Sequence, residues 1–281
     1  MKLNKKKFDD FSLYLNADNI GISGDLNLRG SWEPGFAWML LAEAEGMAIE
    51  VGASVGYFTM MLCSRCDKVI VFEPDRRSRQ ILKKNIKLNN YQDKVVLHSS
   101  ALSDSNGVKK IYLAKKPNQS SLFRSKKSTG SKLINTQTID ELGIVPSFIK
   151  MDIEGYEVEV LKGAMKTLKA TPRCKILMEV HPVVYGKNRN FENTLRSLLN
   201  IGFYFKYIES AAVAIPDLFA EKGYGPFKVL DCGGGFMRGI YKDVEPDDGV
   251  LFSSKIHEQY IPSSKKTSKK IVRSIMLAKG G

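Results

Sequence analysis

The chain has 281 residues and a formal net charge of +13, with 43% hydrophobic and 26% charged residues, a balance that excludes a disordered or membrane-embedded body and fits one large domain with embellishments. No apolar run approaches the roughly 18 residues that span a bilayer, and Met1–Lys7 lacks the apolar stretch of a signal peptide, so a cytoplasmic protein is expected. The basicity is terminal: Lys2, Lys5, Lys6 and Lys7 face no acid among their neighbours, nor do Lys265, Lys266, Lys269, Lys270, Arg273 and Lys279, which leaves only +3 for residues 8–264. Ends of this kind are expected to meet an anionic surface, lipid or RNA.

Residues 1–29 are polar, with frequent Asn, Asp and Gly, and predict a flexible start followed by a lid. Gly30–Pro34 then opens a helix whose buried stripe is Phe36, Met39, Leu40 and Ala44. At Ala48–Tyr57 an apolar run is followed by two glycines four apart and a helix start, the way a parallel strand turns into a helix around a nucleotide-like ligand. Gly52 suits the tight turn and Gly56 the close packing of the first helical turn, so Gly52, Ala53, Ser54, Gly56 and Tyr57 form the expected cradle. A second strand, Lys68–Phe72, ends at Glu73-Pro74-Asp75, roughly 20 residues past the glycines, where a carboxylate accepts ribose hydroxyls. Glu73 is the expected ribose clamp.

A helix runs from Asp75 to about Asn89, and a third strand, Lys94–His98, delivers Ser100, Ala101 and Leu102 to the carboxyl edge of the sheet. There Ser100 and a backbone amide suit an adenine edge; alternatively Ser100 is a strand-end turn residue. Val108–Ala114 and Leu133–Thr138 are extended pieces around a Lys/Ser/Asn-rich loop, 115–132, of the kind that carries substrate contacts. Ser147–Ile153 is the fourth core strand and leads into a helix from Tyr156 to Leu168. Lys175–Val180 is the fifth, with Glu179 and His181 two apart and on one face. Phe191–Asn200 is helical, Phe203–Ile208 extended, and Phe236–Tyr241 is expected to be the final, antiparallel strand. Cys63 and Cys66 have neither a second pair nor nearby histidines, so no metal site is expected.

Glu50-Val-Gly-Ala-Ser-Val-Gly-Tyr57, Phe72-Glu-Pro74, Ser100-Ala-Leu-Ser-Asp104, Ile149–Glu157 with Val160–Ala164, and Met178-Glu-Val-His181 together resemble the FkbM family of class I S-adenosylmethionine-dependent methyltransferases. The blocks stand in order, from roughly Gly30 to Tyr207. The resemblance implies an α/β, Rossmann-like fold: a mostly parallel seven-stranded sheet with its last strand antiparallel and helices on both faces. It divides the chain into an N-terminal lid (1–29), a methyltransferase domain (30–245) whose 210–235 stretch shapes the substrate pocket, and a basic C-terminal tail (246–281). The implied cofactor is S-adenosyl-L-methionine. Glu33 fits either beside that cofactor, as in the family's aromatic-Glu-Pro step, or as an acid favoured at a helix N-terminus. The implied reaction is O-methyl transfer to a hydroxyl of a sugar, glycolipid or other metabolite. Methylation of RNA or protein through the basic termini, or a catalytically silent assembly protein, are the alternatives.

Methyl transfer is an in-line displacement, so the protein must align the acceptor and, for a hydroxyl, help remove its proton. Glu50 can face the amino end of the cofactor, directly or through water, and Asp152 lies at the strand edge near the methyl. Asp152, Glu154, Glu179 and His181 are the candidates for proton removal. His181, neutral, is the expected base because its ordinary pKa lies near neutrality. Glu154 can instead cap the following helix, and Lys150 is expected to pair with a strand-end carboxylate.

Overall fold

Alternating apolar residues assemble the middle of the chain into a nine-stranded sheet. In chain order its strands are β1 (Met47–Val51), β2 (Lys68–Phe72), β3 (Val95–His98), β4 (Phe148–Met151), β5 (Cys174–Glu179), β6 (Phe203–Ser210), β7 (Lys228–Asp231), β8 (Met237–Tyr241) and β9 (Val272–Lys279). They lie in the order β7-β8-β6-β9-β5-β4-β1-β2-β3. The run from β5 to β3 is parallel throughout, whereas β9 is antiparallel to both of its neighbours, β5 and β6. Side chains of successive residues enter two separate cores. Ile49, Val51, Ile149, Met151, Ile176, Ile275 and Leu277 pack on one face; Ala48, Phe148, Leu177 and Met276 pack on the other. Period-two alternation therefore buries both faces under helices, as a parallel sheet requires. The helix Pro34–Glu43 buries the expected Phe36, Met39 and Leu40. This computed structural model describes residues 2–18, 20–124, 128–185, 189–233 and 235–280. Residues 125–127 of the expected 115–132 loop and Gly234 of the Gly233–Gly235 run lie outside them.

The mixed α/β sheet class holds, but the last strand was expected in the wrong place. Phe236–Tyr241 contains β8, which pairs with β7 in an added hairpin beyond β6, and the antiparallel strand between β5 and β6 is β9. Residues 246–280, expected as a basic tail, are accordingly folded into the domain. They form a helix, Pro246–Ser254, a short hairpin of Gln259–Ile261 with Lys266–Ser268, and β9, in which Val272, Ser274, Ile275, Met276, Leu277 and Ala278 are buried. The physical reason is the mostly apolar, partly β-branched stretch from Ile271 to Ala278, which fills the slot between two strands. Its flanking cations have work within the fold: Lys279 Nζ donates to the carbonyls of Leu168 and Lys169, both at 2.9 Å, completing a helix end.

The N-terminal stretch is likewise ordered. A hairpin, Leu3–Lys7 with Ser12–Asn16, precedes a helix, Ile22–Arg29. Asn85, on the helix Arg76–Leu88, exchanges hydrogen bonds with the backbone of Tyr14, and Asn89 with that of Ser12. Lys6 donates to Leu26 O and Asn27 O at 2.6 and 2.8 Å. The helix expected over 156–168 is two, Glu157–Lys162 and Met165–Ala170. The extended pieces after β3 pair in a separate three-stranded sheet of Ala101–Leu102, Gly107–Ala114 and Ser128–Gln137.

Removing the residues after Ser264 would open the sheet between β5 and β6, with a loss comparable to the whole net stability of a domain, on the order of 5–15 kcal/mol. The truncated chain should show no cooperative thermal transition by circular dichroism. A truncation that melts like the full chain would contradict this role for β9.

Candidate active site

The carboxyl ends of β1, β2, β4 and β5 surround a cavity of about 320 Å³, the place where an open parallel sheet holds its ligands. Gly52, Ala53, Ser54, Tyr57, Glu73, Ala101, Asp152, Glu154, Glu179 and His181 all line it. Gly52 has φ +78, and a Cβ there would lie 2.5 Å from Asp152 O, so the loop after β1 touches the loop after β4 backbone to backbone. Gly56 has φ +95 and would push a Cβ to 2.5 Å from Leu82, which holds the helix Tyr57–Arg65 close to the next one. Glu73 accepts hydrogen bonds from Ser54 N (2.7 Å) and Asp75 N (2.8 Å). Burial lifts its carboxyl to about 7 in spite of these two donors.

Four expected cofactor residues do not line the cavity. Gly56 acts through packing alone. Ser100 receives the Gln137 amide at 2.6 Å. Glu50 is fully buried beneath the loop: Thr59 Oγ1 donates to it at 2.6 Å and Lys150 Nζ lies 3.6 Å away. Burial pushes its carboxyl up, against Lys150 and Thr59. Lys150 also donates to Gly52 O at 2.6 Å and reaches the cavity wall, so Glu50 stands behind Lys150 and braces the loop through it. Glu33 caps the helix Pro34–Glu43 at φ 45, and its carboxylate is clamped by Arg273 (2.7 Å) and by Arg238. Burial opposes its charge, but Arg273 and then Arg238 hold it below the ordinary carboxylate range.

Asp152, Glu179 and His181 are brought together, with ligand-type atoms within 4.8 Å of one another. The positive charge that such a set attracts is already supplied by side chains. Glu179 Oε1 meets Arg273 Nη1 at 2.5 Å, Lys270 Nζ at 3.1 Å and His181 Nε2 at 3.1 Å. Burial opposes ionisation of Glu179, yet Arg273, Lys270 and His181 hold it well below the usual range. The expectation of a neutral His181 fails on the same geometry. Its Nδ1 lies 3.2 Å from Glu157 Oε1, out of line for a hydrogen bond but close enough for an ion pair. Burial works against the imidazolium, but Glu157 and Glu179 outweigh it and raise the pKa to about 10. Glu157, fully buried, also receives Tyr185 Oη at 3.2 Å and the backbone N–H of Gly155 at 3.3 Å. Asp152 behaves differently: burial, and then Glu179, lift it to about 7.

Sequence reasoning missed Lys270 and Arg273, which line the cavity at the start of β9; Trp32, of the aromatic-Glu-Pro step, and the turn Pro117–Leu122, in the loop expected to carry substrate contacts, line it as well. The signal was present in Ile271, Val272 and Ile275–Ala278, whose strand character the surrounding lysines disguised. The turn is latched by Arg77, which donates to Asp75 Oδ2 at 2.6 Å and Ala114 O at 3.0 Å, while Ser120 donates to Asp75 at 3.1 Å.

A family model described as the methyltransferase FkbM domain matches residues 50–224. The hexuronic acid methyltransferase AglP of Haloferax volcanii is 31% identical over 169 residues, which are 58% of this chain and 67% of that protein. Among solved structures, a methyltransferase FkbM from Methylobacillus flagellatus is similar at 17% identity and a TM-score of 0.43, over 84% of this chain and 44% of that one; the chain thus spans less than half of that protein. TYW2 of M. jannaschii, solved with AdoMet, is similar at 12% identity and a TM-score of 0.41, over 86% of this chain and 87% of its own. Among the described residues no helix is long and apolar enough to cross a membrane.

A histidine held between two carboxylates should not titrate in the neutral range. Of the three histidines, the His181 imidazole should stay protonated by NMR from about pH 5 to pH 9, and Glu157→Gln should move its titration downward. Because the folded value lies above the ordinary 6.5, protonation stabilises the fold; that contribution is complete below about pH 6.5 and lost as the pH rises towards about 10. The melting temperature should fall over this window, less steeply in Glu157→Gln. An imidazole titrating near 6.5 in the native chain would refute the ion-paired arrangement.

Proposed function

The chain belongs to the FkbM methyltransferase family, and on that footing we propose that it transfers the methyl group of S-adenosylmethionine to a hydroxyl of a saccharide. The observation that carries this reading is Asp152: a carboxylate at the end of β4, in the wall of the cavity, with its pKa raised to about 7. A general base works best when its pKa lies near the working pH. The relative at 31% identity, a hexuronic acid methyltransferase, supports a saccharide as acceptor.

The chain's own residues fit such a donor. The cavity is of small-molecule size, the loop Gly52–Tyr57 opens at its floor, and each Glu73 oxygen, after accepting one backbone N–H, keeps a lone pair for a ribose hydroxyl. Bound there, S-adenosylmethionine would supply a methyl carbon on a positively charged sulfur. Asp152 is then the group to take the proton from the acceptor hydroxyl as its oxygen bonds to the methyl. His181, already charged, serves instead to hold Glu179 and, through Glu157, the loop 152–155. Lys6, Lys270, Arg273 and Lys279 are engaged within the fold, which weakens the case that the terminal cations exist to bind RNA or lipid.

Labelled S-adenosylmethionine offered with a panel of saccharides, RNA and protein acceptors tests the reading; labelling of RNA or protein but of no saccharide would overturn it. The rate should rise with pH through about 7. Asp152→Asn should lower kcat by about 10²–10⁴ and leave affinity for S-adenosylhomocysteine nearly intact, while Glu73→Ala should weaken that affinity by about 1.5–3 kcal/mol in calorimetry. Full turnover in Asp152→Asn would remove it as the base.

A further inference from the structure

The cavity carries a cation that neither the fold nor the proposed methyl transfer uses fully. Of the three positive groups on Glu179 Oε1, two are shared with further carboxylates. Arg273 also donates from Nε and Nη2 to Glu33, at 3.0 and 2.7 Å, and His181 faces Glu157. Lys270 has Glu179 as its one hydrogen-bonded carboxylate among the described residues, at 3.1 Å, with Glu33 attracting it from further away, and its other hydrogen bond goes to Val180 O at 3.2 Å. An ammonium has three N–H donors, so one remains. The side chain is 21% exposed and lines the cavity on the side of Asp152, Glu179 and His181, away from Glu73 and Ala101. Glu33, Arg273 and Glu179 act on it directly and His181 shares Glu179 with it, which leaves Lys270 sharing its counter-ion with two other cations. An anion arriving beside it would relieve that competition and be held by a charge-assisted hydrogen bond.

Resting on the saccharide reading above, we propose that Lys270, backed by Arg273, binds a carboxylate of the acceptor, so that the enzyme selects an acidic sugar over its neutral counterpart. The acceptor's carboxylate takes the free N–H of Lys270, which places a neighbouring hydroxyl towards Asp152. Lys270 is thus a specificity residue for the acceptor and takes no part in holding the methyl donor.

Methyl β-D-glucuronide and methyl β-D-glucoside, identical except for the carboxylate, separate the outcomes on the full-length chain. The native enzyme should use the glucuronide with a kcat/KM about tenfold or more above that of the glucoside, and added salt should erode the difference. Lys270→Met should lose that preference through a higher KM for the glucuronide alone; any change in turnover from the loss of one cation on Glu179 falls on both sugars alike, and a nearly unchanged affinity for S-adenosylhomocysteine certifies that the variant is folded. Lys270→Arg should restore part of the preference. Equal use of both sugars by the native enzyme, or a preference kept in Lys270→Met, overturns the carboxylate role and leaves the saccharide reading standing. Neither sugar methylated by a chain that binds S-adenosylhomocysteine overturns both.

Discussion

The guanidinium of Arg273 is the constraint on which the candidate site depends. It grips Glu33 with two nitrogens and Glu179 with the third, and so ties the start of the helix Pro34–Glu43, the end of β5 and the start of β9 to one point. Only a planar fork with several fixed donors does this; a lysine there would satisfy one carboxylate and release the other. Glu33 sits in left-handed backbone at φ 45, a conformation that costs about 1 kcal/mol or more for a non-glycine residue, and the two arginines offset it. The same contact continues inward. Arg238 reaches from Glu33 to the fully buried Glu209, which also receives the Ser274 hydroxyl. Buried charges of this kind add little net stability over apolar packing, but removing a single member strands its partner.

Much of the Gly52–Glu73 half of the cavity was legible in the sequence because it lies within short, regular stretches. A strand, a Gly52–Gly56 turn and an acid at the end of the next strand are spaced by the geometry of one strand-helix-strand unit, so Glu73 could be placed from spacing alone. Asp152, Glu179 and His181 followed from strand ends and period-two alternation. What failed depended on contacts between remote segments. The charge state of His181 is set by Glu157, whose inward orientation comes from a helix start no local pattern reveals. Glu50 was legible as an acid at a strand end, but its burial behind Lys150 and Thr59 was not. The strand at 272–279 was hidden because lysines on either side suggested a solvated segment, although six of the eight residues from Ile271 to Ala278 are apolar.

The site divides its acids by environment. Glu179 and Glu33 are kept ionised by crowded cations, whereas Asp152, one strand away from Glu179, is raised by burial and by that same neighbour's charge. Fixing one carboxylate as an anion makes the next one easier to protonate, which is how two identical groups a few ångströms apart acquire different duties. The cations around Glu179 therefore tune Asp152 indirectly, by keeping its neighbour charged.

The insertion of β9 between β5 and β6 also governs how the molecule comes into being. Both neighbours are made well before it during synthesis, and each must wait with an open hydrogen-bonding edge until β9 arrives from distant sequence. Non-local pairings of this kind slow folding, and unpaired edges invite association with other chains in the interval. Arg273 and Lys270 travel with the late strand, so an intermediate that has built the Gly52 loop and Glu73 still lacks the cations of the other half. The complete cavity therefore exists only once β9 has docked between its two neighbours.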